Sequence, residues 1–213
     1  MKTLRLLRIV FVNNPKEVDN VNDELTIWKS KEGFYLEFNT ERLTIRPFKS
    51  NDLQDVFTIY DNEETCKYLL HDKWTYENRQ EEFNKKLENR TLTKETMLSL
   101  AVVTNTKVIG DLSIWYTDMK DTVEIGYSFS NEATGKGYAT EAVSGLVKKL
   151  FDEFGVHRIQ ANLDARNIAS QKLCERIGMR KEAHFIQDYW NKGEWTDSFV
   201  YGMLLTDLHV RNQ

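Results

Sequence analysis

The stretch Thr134-Gly135-Lys136-Gly137-Tyr138-Ala139-Thr140-Glu141 lies between an alternating apolar run, Val123, Ile125, Tyr127 and Phe129, and a helical apolar pattern made by Ala142, Val143, Leu146, Val147, Leu150 and Phe151. Two glycines let the backbone turn tightly with its N–H groups outward. A helix starting near Thr140 would bring the positive end of its dipole to the same place. The segment therefore reads either as a cradle for an anion or as a plain glycine turn joining strand to helix.

Outward from this loop, the alternating run at 122–129 follows strands at 97–104 and 107–115, joined through Asn105-Thr106, which makes an antiparallel meander. Downstream, residues 158–163 return as a strand, a short helix over 169–177 stops at Gly178, and strands at 181–190 and 195–205 form a hairpin around Asn191-Lys192-Gly193. Upstream, Ser50-Asn51-Asp52 supplies caps for a helix carrying Leu53, Val56, Phe57 and Tyr60. A second helix is predicted over 76–89, with an irregular aromatic segment between the two. Residues 4–12, 25–28 and 34–36 read as strands, so residues 1–39 look like a strand-rich extension to a domain spanning 40–213. Their apolar side chains, Leu6, Ile9, Phe11, Trp28, Phe34 and Leu36, must be covered either by an edge of the same sheet or by a second subunit, which would make a homodimer.

The 213 residues are 40% hydrophobic and 29% charged, enough for one sizeable core. Net charge is -4, with no stretch of Lys and Arg free of acids, so no nucleic-acid partner is expected and a cationic substrate is weakly favoured. Cys66 and Cys174 lack paired spacing, and His71, His157, His184 and His209 form no metal constellation. Charges interrupt the N-terminal apolar residues too early for a signal peptide, and no apolar run reaches membrane-spanning length. The expectation is a cytoplasmic protein with no metal and no membrane partner.

Two phosphate-binding signatures fail on this sequence. A P-loop needs Gly five residues before the Gly-Lys pair and Ser or Thr after it, where Ser130 and Gly137 stand. A dinucleotide fingerprint needs a third glycine at Thr140 and a parallel start to the sheet.

Several ordered pieces resemble the GNAT superfamily of acetyl-CoA-dependent N-acetyltransferases, and within it the branch of ribosomal-protein N-terminal acetyltransferases. They are Thr40-Glu41-Arg42-Leu43-Thr44-Ile45-Arg46-Pro47, Val108-Ile109-Gly110, Glu124-Ile125-Gly126-Tyr127, the glycine loop, Asn167-Ile168-Ala169-Ser170 with Gly178 eight residues later, and Trp195-Thr196-Asp197 before Val200-Tyr201. Thr134 departs from the usual Gln, Arg or aromatic residue, and Met179 from the usual Phe. The resemblance implies an α/β (α+β) fold with a mixed, mostly antiparallel sheet flanked by helices, its strands splayed at the acetyl-CoA site.

It also implies that the pantetheine arm pairs beside Ser128 and Phe129. The pyrophosphate would rest on the amides of Gly135, Lys136, Gly137, Tyr138, Ala139 and Thr140. Asn167 and Ser170 match positions that approach the arm; the alternative is helix capping, since Asn before a short helix is a common cap.

The chemistry needs a neutral amine, a polarised thioester carbonyl and a proton for the departing thiolate. An amine of pKa about 10 is mostly charged at neutral pH, so a carboxylate must accept a proton. Glu124 is the first candidate, because it points away from the face of Val123, Ile125 and Tyr127, and Asp188 is the second. For the thiolate, the superfamily often uses a Tyr seven residues after the Asn, and Cys174 stands there. Ser170, one turn earlier, is the preferred donor; Cys174 reads as a small buried residue. Acidic Glu63, Glu64 and Asp72, with the aromatics Tyr68, Trp74, Tyr76, Trp115, Tyr189, Trp190 and Trp195, are placed where the acceptor would enter. The acceptor implied is a protein N-terminal amine or a small amine, with an aminoglycoside third. A module that binds acyl-CoA without turnover is the alternative.

Overall fold

The computed structural model describes residues 25–30, 33–105 and 107–210, and the strand expected over residues 4–12 lies outside them. A single nine-stranded sheet runs in the order β1-β2-β3-β4-β5-β6-β7-β9-β8. The strands are β1 (Leu25–Ser30), β2 (Gly33–Asn39), β3 (Thr44–Pro47), β4 (Leu98–Thr104), β5 (Lys107–Tyr116), β6 (Thr122–Phe129), β7 (Arg158–Asp164), β8 (Arg180–Asn191) and β9 (Glu194–Leu204). Every neighbouring pair is antiparallel except β6 with β7. The parallel pair needs a crossover, which the long helix α4 (Tyr138–Asp152) supplies.

Alternation along the strands divides the core between two faces. On one face α4 and α5 (Ile168–Ile177) cover Ile45, Leu100, Leu112, Ile114, Val123, Ile125, Ile159 and Tyr201. On the other, α1 (Leu53–Tyr60) and α3 (Arg79–Glu88) bring Val56, Ile59, Tyr60 and Phe83 onto Ala101, Val103 and Val108. Strand β2 pairs with β3, and Leu36 and Phe38 enter the α4 side of the same core. A Cβ on Gly145 of α4 would lie 2.9 Å from Phe38 Cε2, so the helix backbone rests directly on that ring.

Local chemistry moves several boundaries from their sequence expectations. Ser50–Asp52 forms a 3₁₀ turn rather than a simple cap. Asp52 is buried there, accepting from the Lys49 amide at 2.7 Å and from both Arg46 guanidinium nitrogens at 2.7 and 2.9 Å. The segment expected to be irregular contains α2 (Glu63–Cys66), capped by Asn62 accepting from the Thr65 amide at 3.0 Å. Helix α3 starts at Arg79, because Thr75 and Asn78 exchange side-chain to backbone hydrogen bonds and close a turn first. Helix α4 starts at Tyr138, two residues before the expected Thr140. In the last hairpin Lys192 and Gly193 both have left-handed φ, 50° and 85°, which matches a two-residue turn between twisted strands. A short α6 (Leu205–Val210) closes the described chain.

Candidate active site

Strands β6 and β7 are in register only through Thr122–Arg158, Val123–Ile159 and Glu124–Gln160. Beyond that point β6 stays with β5 as far as Phe129, while β7 stays with β9 as far as Asp164. The two strands part into a V, and the β6 edge from 125 to 129 keeps main-chain groups with no β7 partner among the described residues. Such an edge is a template for one more extended strand.

Glu124 stands at the closed end of the V. Its neighbours Val123 and Ile125 are buried on the α4 face, so its carboxylate points to the opposite face and accepts from Gln160 Nε2 at 2.8 Å. Burial pushes the Glu124 carboxyl above its ordinary pKa, and the Gln160 amide partly opposes that shift. Trp115 faces Glu124 across the β5 ladder, and its ring lies where a Cβ on Gly126 would meet it at 3.4 Å. Farther up this face Lys86 pairs with Asp111, and the Tyr60 hydroxyl donates to Asp111 Oδ2 at 2.7 Å. Asp111 is thus already paired with a cation, whereas the donor to Glu124 is the neutral Gln160 amide.

The open end of the V carries the glycine loop. Gly135 and Gly137 have φ of 76° and 78°, the left-handed region that favours glycine, and Gly137 caps α4. The first intrahelical bond of α4 runs from the Glu141 amide to the Gly137 carbonyl at 3.0 Å, so the amides of Tyr138, Ala139 and Thr140 precede the ladder. Arg42, from the turn between β2 and β3, straps the loop: its Nη1 donates to the Lys136 carbonyl at 3.0 Å and its Nε to Glu141 Oε2 at 2.7 Å. Glu141 Oε1 takes the Arg42 amide at 2.7 Å and the Thr40 hydroxyl at 2.6 Å. Despite the opposing effect of burial, these donors hold the Glu141 carboxyl below its usual range. Arg176 from α5 donates to the Thr140 hydroxyl at 2.8 Å. Amides and three cations, Lys136, Arg42 and Arg176, surround one helix N-terminus, which suits a phosphate-bearing ligand.

The free β6 edge thus runs from Glu124 at the closed end of the V toward the glycine loop at its open end. The acetyltransferase (GNAT) domain family matches residues 42–180. The chain belongs to the GNAT acetyltransferase family.

An uncharacterized N-acetyltransferase of Bacillus subtilis, YnaD, is 29% identical over 169 residues, covering 79% of this chain and 97% of that protein. A [ribosomal protein uS5]-alanine N-acetyltransferase of Escherichia coli is 29% identical over 83 residues, covering 39% of this chain and 43% of that protein. Among solved structures, a GNAT-family acetyltransferase from Bacillus anthracis superposes with a TM-score of 0.71 at 28% identity, over 79% of this chain and 98% of that one. The family and these relatives make the protein an acetyl-CoA-dependent acyltransferase, and the expected mixed sheet flanked by helices is the fold found.

Within this GNAT domain the other sequence candidates fall in two groups. Ser128 and Phe129 lie on the free β6 edge, and Gly110 on β5 lies so close that a Cβ there would sit 2.5 Å from Phe129 Cδ1. Asn167 caps α5, accepting from the Ser170 amide at 3.0 Å, so the capping alternative describes its Oδ1. Cys174 is fully buried, as expected of a small apolar side chain. Asp188 lies apart: β7 and β9 stand between its strand and β6, and it occupies the exposed irregularity between Phe185 and Tyr189.

The aromatic candidates divide in the same way. Trp74 is core, stacked on Tyr60 at 4.7 Å, whereas Tyr76, Trp190 and Trp195 are exposed. The tip of the β8–β9 hairpin crosses to the segment after α2, where Lys192 donates to the Cys66 carbonyl at 2.6 Å and Asn191 to the Leu69 carbonyl at 3.3 Å. Arg166 adds a guanidinium 5.9 Å from the Tyr68 ring. These contacts bring the hairpin tip and the residue after β7 onto the segment that follows α2. Sequence reading missed Thr40, Arg42 and Arg176 as loop supports, although Thr40 and Arg42 lie inside the motif that carried the resemblance; it also missed Gln160. No group of acids, His and Cys suited to a metal occurs among the described residues, and no described helix is long and apolar enough to cross a membrane.

Proposed function

We propose that this protein transfers acetyl from acetyl-CoA to a primary amine by direct attack, with a protein N-terminal amine as the first acceptor class and a small amine such as a polyamine or amino acid as the second. The observation that carries the reading is the parting of β6 and β7 just after Glu124, with the glycine loop at the open end. Acetyl-CoA would lie with its pyrophosphate on Gly135, Lys136, Gly137, Tyr138, Ala139 and Thr140, and its arm along Ser128 and Phe129. Asn167 and Ser170 would flank the arm from α5. Two unpaired cysteines and dependence on acetyl-CoA fit a cytoplasmic setting.

In this reading Glu124 is the base. A carboxyl raised by burial accepts a proton more readily than an exposed one, which brings it closer to a pKa suited to work near neutrality. The amine loses a proton toward Glu124 and attacks the acetyl carbon, and a main-chain N–H near Phe129 polarises the carbonyl. The alanine acetyltransferase relative supports placing a protein N-terminus ahead of small amines. The loops at 62–76 and 191–193, which hydrogen-bond to each other, are where acceptor choice would lie.

The test is release of free thiol from acetyl-CoA with a panel of N-terminal peptides, polyamines, amino acids and aminoglycosides, followed by mass spectrometry of the products. Amine-dependent thiol release with acetylated product supports the assignment. Tight acetyl-CoA binding without turnover on any amine would assign a regulatory module instead.

A further inference from the structure

The side chain of Tyr127 crosses the V. It leaves β6 on the α4 and α5 face, and its hydroxyl lies 3.3 Å from Cys174 Sγ and 3.4 Å from the Ser170 carbonyl oxygen, both on α5. Because Cys174 ends at Sγ, the phenol of Tyr127 has room there; a longer side chain at 174 would compete for the same space. The contact with the Ser170 carbonyl oxygen is long for an O–H···O bond and a thiol sulphur is a weak acceptor, so the single hydroxyl proton can turn to a better acceptor at little cost.

We propose that Tyr127 delivers the proton to the departing thiolate, in place of the Ser170 or Cys174 that its neighbourhood first suggests. The inference rests on the acetyl-transfer reading above. An arm anchored at the glycine loop and paired with the β6 edge runs back toward Glu124, over roughly 16 Å of strand at about 3.3 Å per residue, and brings its sulphur into the part of the V that Tyr127 spans. Amine and thiolate are then served from opposite faces of one strand, by Glu124 and Tyr127.

The step balances. The amine nitrogen bonds to the acetyl carbon, the carbon–sulphur bond breaks with its electron pair going to sulphur, and the proton lost by nitrogen passes to Glu124. Sulphur takes the Tyr127 proton, and water then reprotonates the tyrosinate and receives the proton held on Glu124. Burial holds the Tyr127 phenol well above its ordinary pKa, so it is protonated when needed. The same burial pushes the Cys174 thiol up to about 11, and a thiolate formed in this place is likewise a stronger base than in water.

Tyr127→Phe tests the idea with acetyl-CoA affinity measured by calorimetry beside the pH profile of kcat. The expected result is a fall in kcat of about a hundredfold, with affinity within about twofold of the parent, since proton transfer by a placed side chain contributes about 10² to 10⁴. Replacing Tyr127 with 3,5-difluorotyrosine keeps the shape, makes the phenol more acidic and should bring into the measurable range an alkaline limb that lies beyond it in the parent. Parental kcat in Tyr127→Phe, or an alkaline side of the fluorinated protein's profile that matches the parent's, would overturn the role of Tyr127 alone. A parent that releases no thiol with any amine would remove the transfer reading, and this inference with it.

Discussion

Glu124 and Gln160 share a hydrogen bond of 2.8 Å at the last position where β6 and β7 are in register. One residue farther on the strands part, so the amide that restrains the carboxylate also marks the closed end of the V. Burial raises the Glu124 carboxyl, and the hydrogen bond from Gln160 partly offsets that rise. Gln160→Leu should therefore raise the Glu124 pKa further, moving the acid limb of the rate profile to higher pH. An acid limb that stays in place would mean that another group controls it.

Glu124→Gln keeps the shape and removes the proton acceptor. Turnover at neutral pH should fall about a hundredfold or more while acetyl-CoA affinity persists. The sign for stability is opposite: a carboxyl raised in the folded state stabilises most below its unfolded pKa, and that contribution is lost as pH rises through the folded value. At neutral pH the variant should melt slightly above the parent. If Asp188→Asn produces the rate loss instead, the base is on β8.

The loop prediction rests on Gly137, whose φ of 78° is strained for any side chain and whose Cβ would come within 3.3 Å of Arg42 Nη2. Gly137→Val should weaken acetyl-CoA binding at least about tenfold, or 1.4 kcal/mol, measured by calorimetry on folded protein. Unchanged affinity would detach the loop from the cofactor.

Gly110 controls the β6 edge from behind. A Cβ there would lie 2.6 Å from the Ser128 carbonyl oxygen as well as against Phe129, so backbone must move. Gly110→Ala should cost about 1–3 kcal/mol in denaturant unfolding and weaken acetyl-CoA binding by displacing Ser128 and Phe129. Normal stability with normal binding would show that the strand absorbs the change.

Phe38 is buried against Gly145, so β2 carries part of the core. Phe38→Ala should destabilise by about 3–5 kcal/mol. Gly145→Ala should be costly alone and much less so beside Phe38→Ala, a non-additivity expected when two sites share space. Additive effects would mean that helix and ring do not press on each other.

Much of this architecture is legible in the chain because its signals are local. The alternation of Val123, Ile125 and Tyr127, the helical recurrence from Ala142 to Phe151 and the stop at Gly178 depend on neighbours a few residues away, and these three elements formed within a few residues of their expected spans. The outward direction of Glu124 follows from the same alternation. Where turn chemistry competed, at Thr75–Asn78 and at Ser50–Asp52, helix starts shifted, because side chains satisfied backbone groups that the helix would otherwise have used.

Spacing along one strand or loop is enough to set the succession of elements, the glycines with left-handed backbone and the face on which Glu124 stands. Which distant groups meet comes from the packing of the folded chain: Arg42 with Lys136 and Glu141, Gln160 with Glu124, Tyr127 with α5, and the β8–β9 tip with the segment after α2. The reason is physical. Periodicity records which face a side chain takes, but a contact between residues 94 or 126 positions apart depends on where strands part and how helices seat across them.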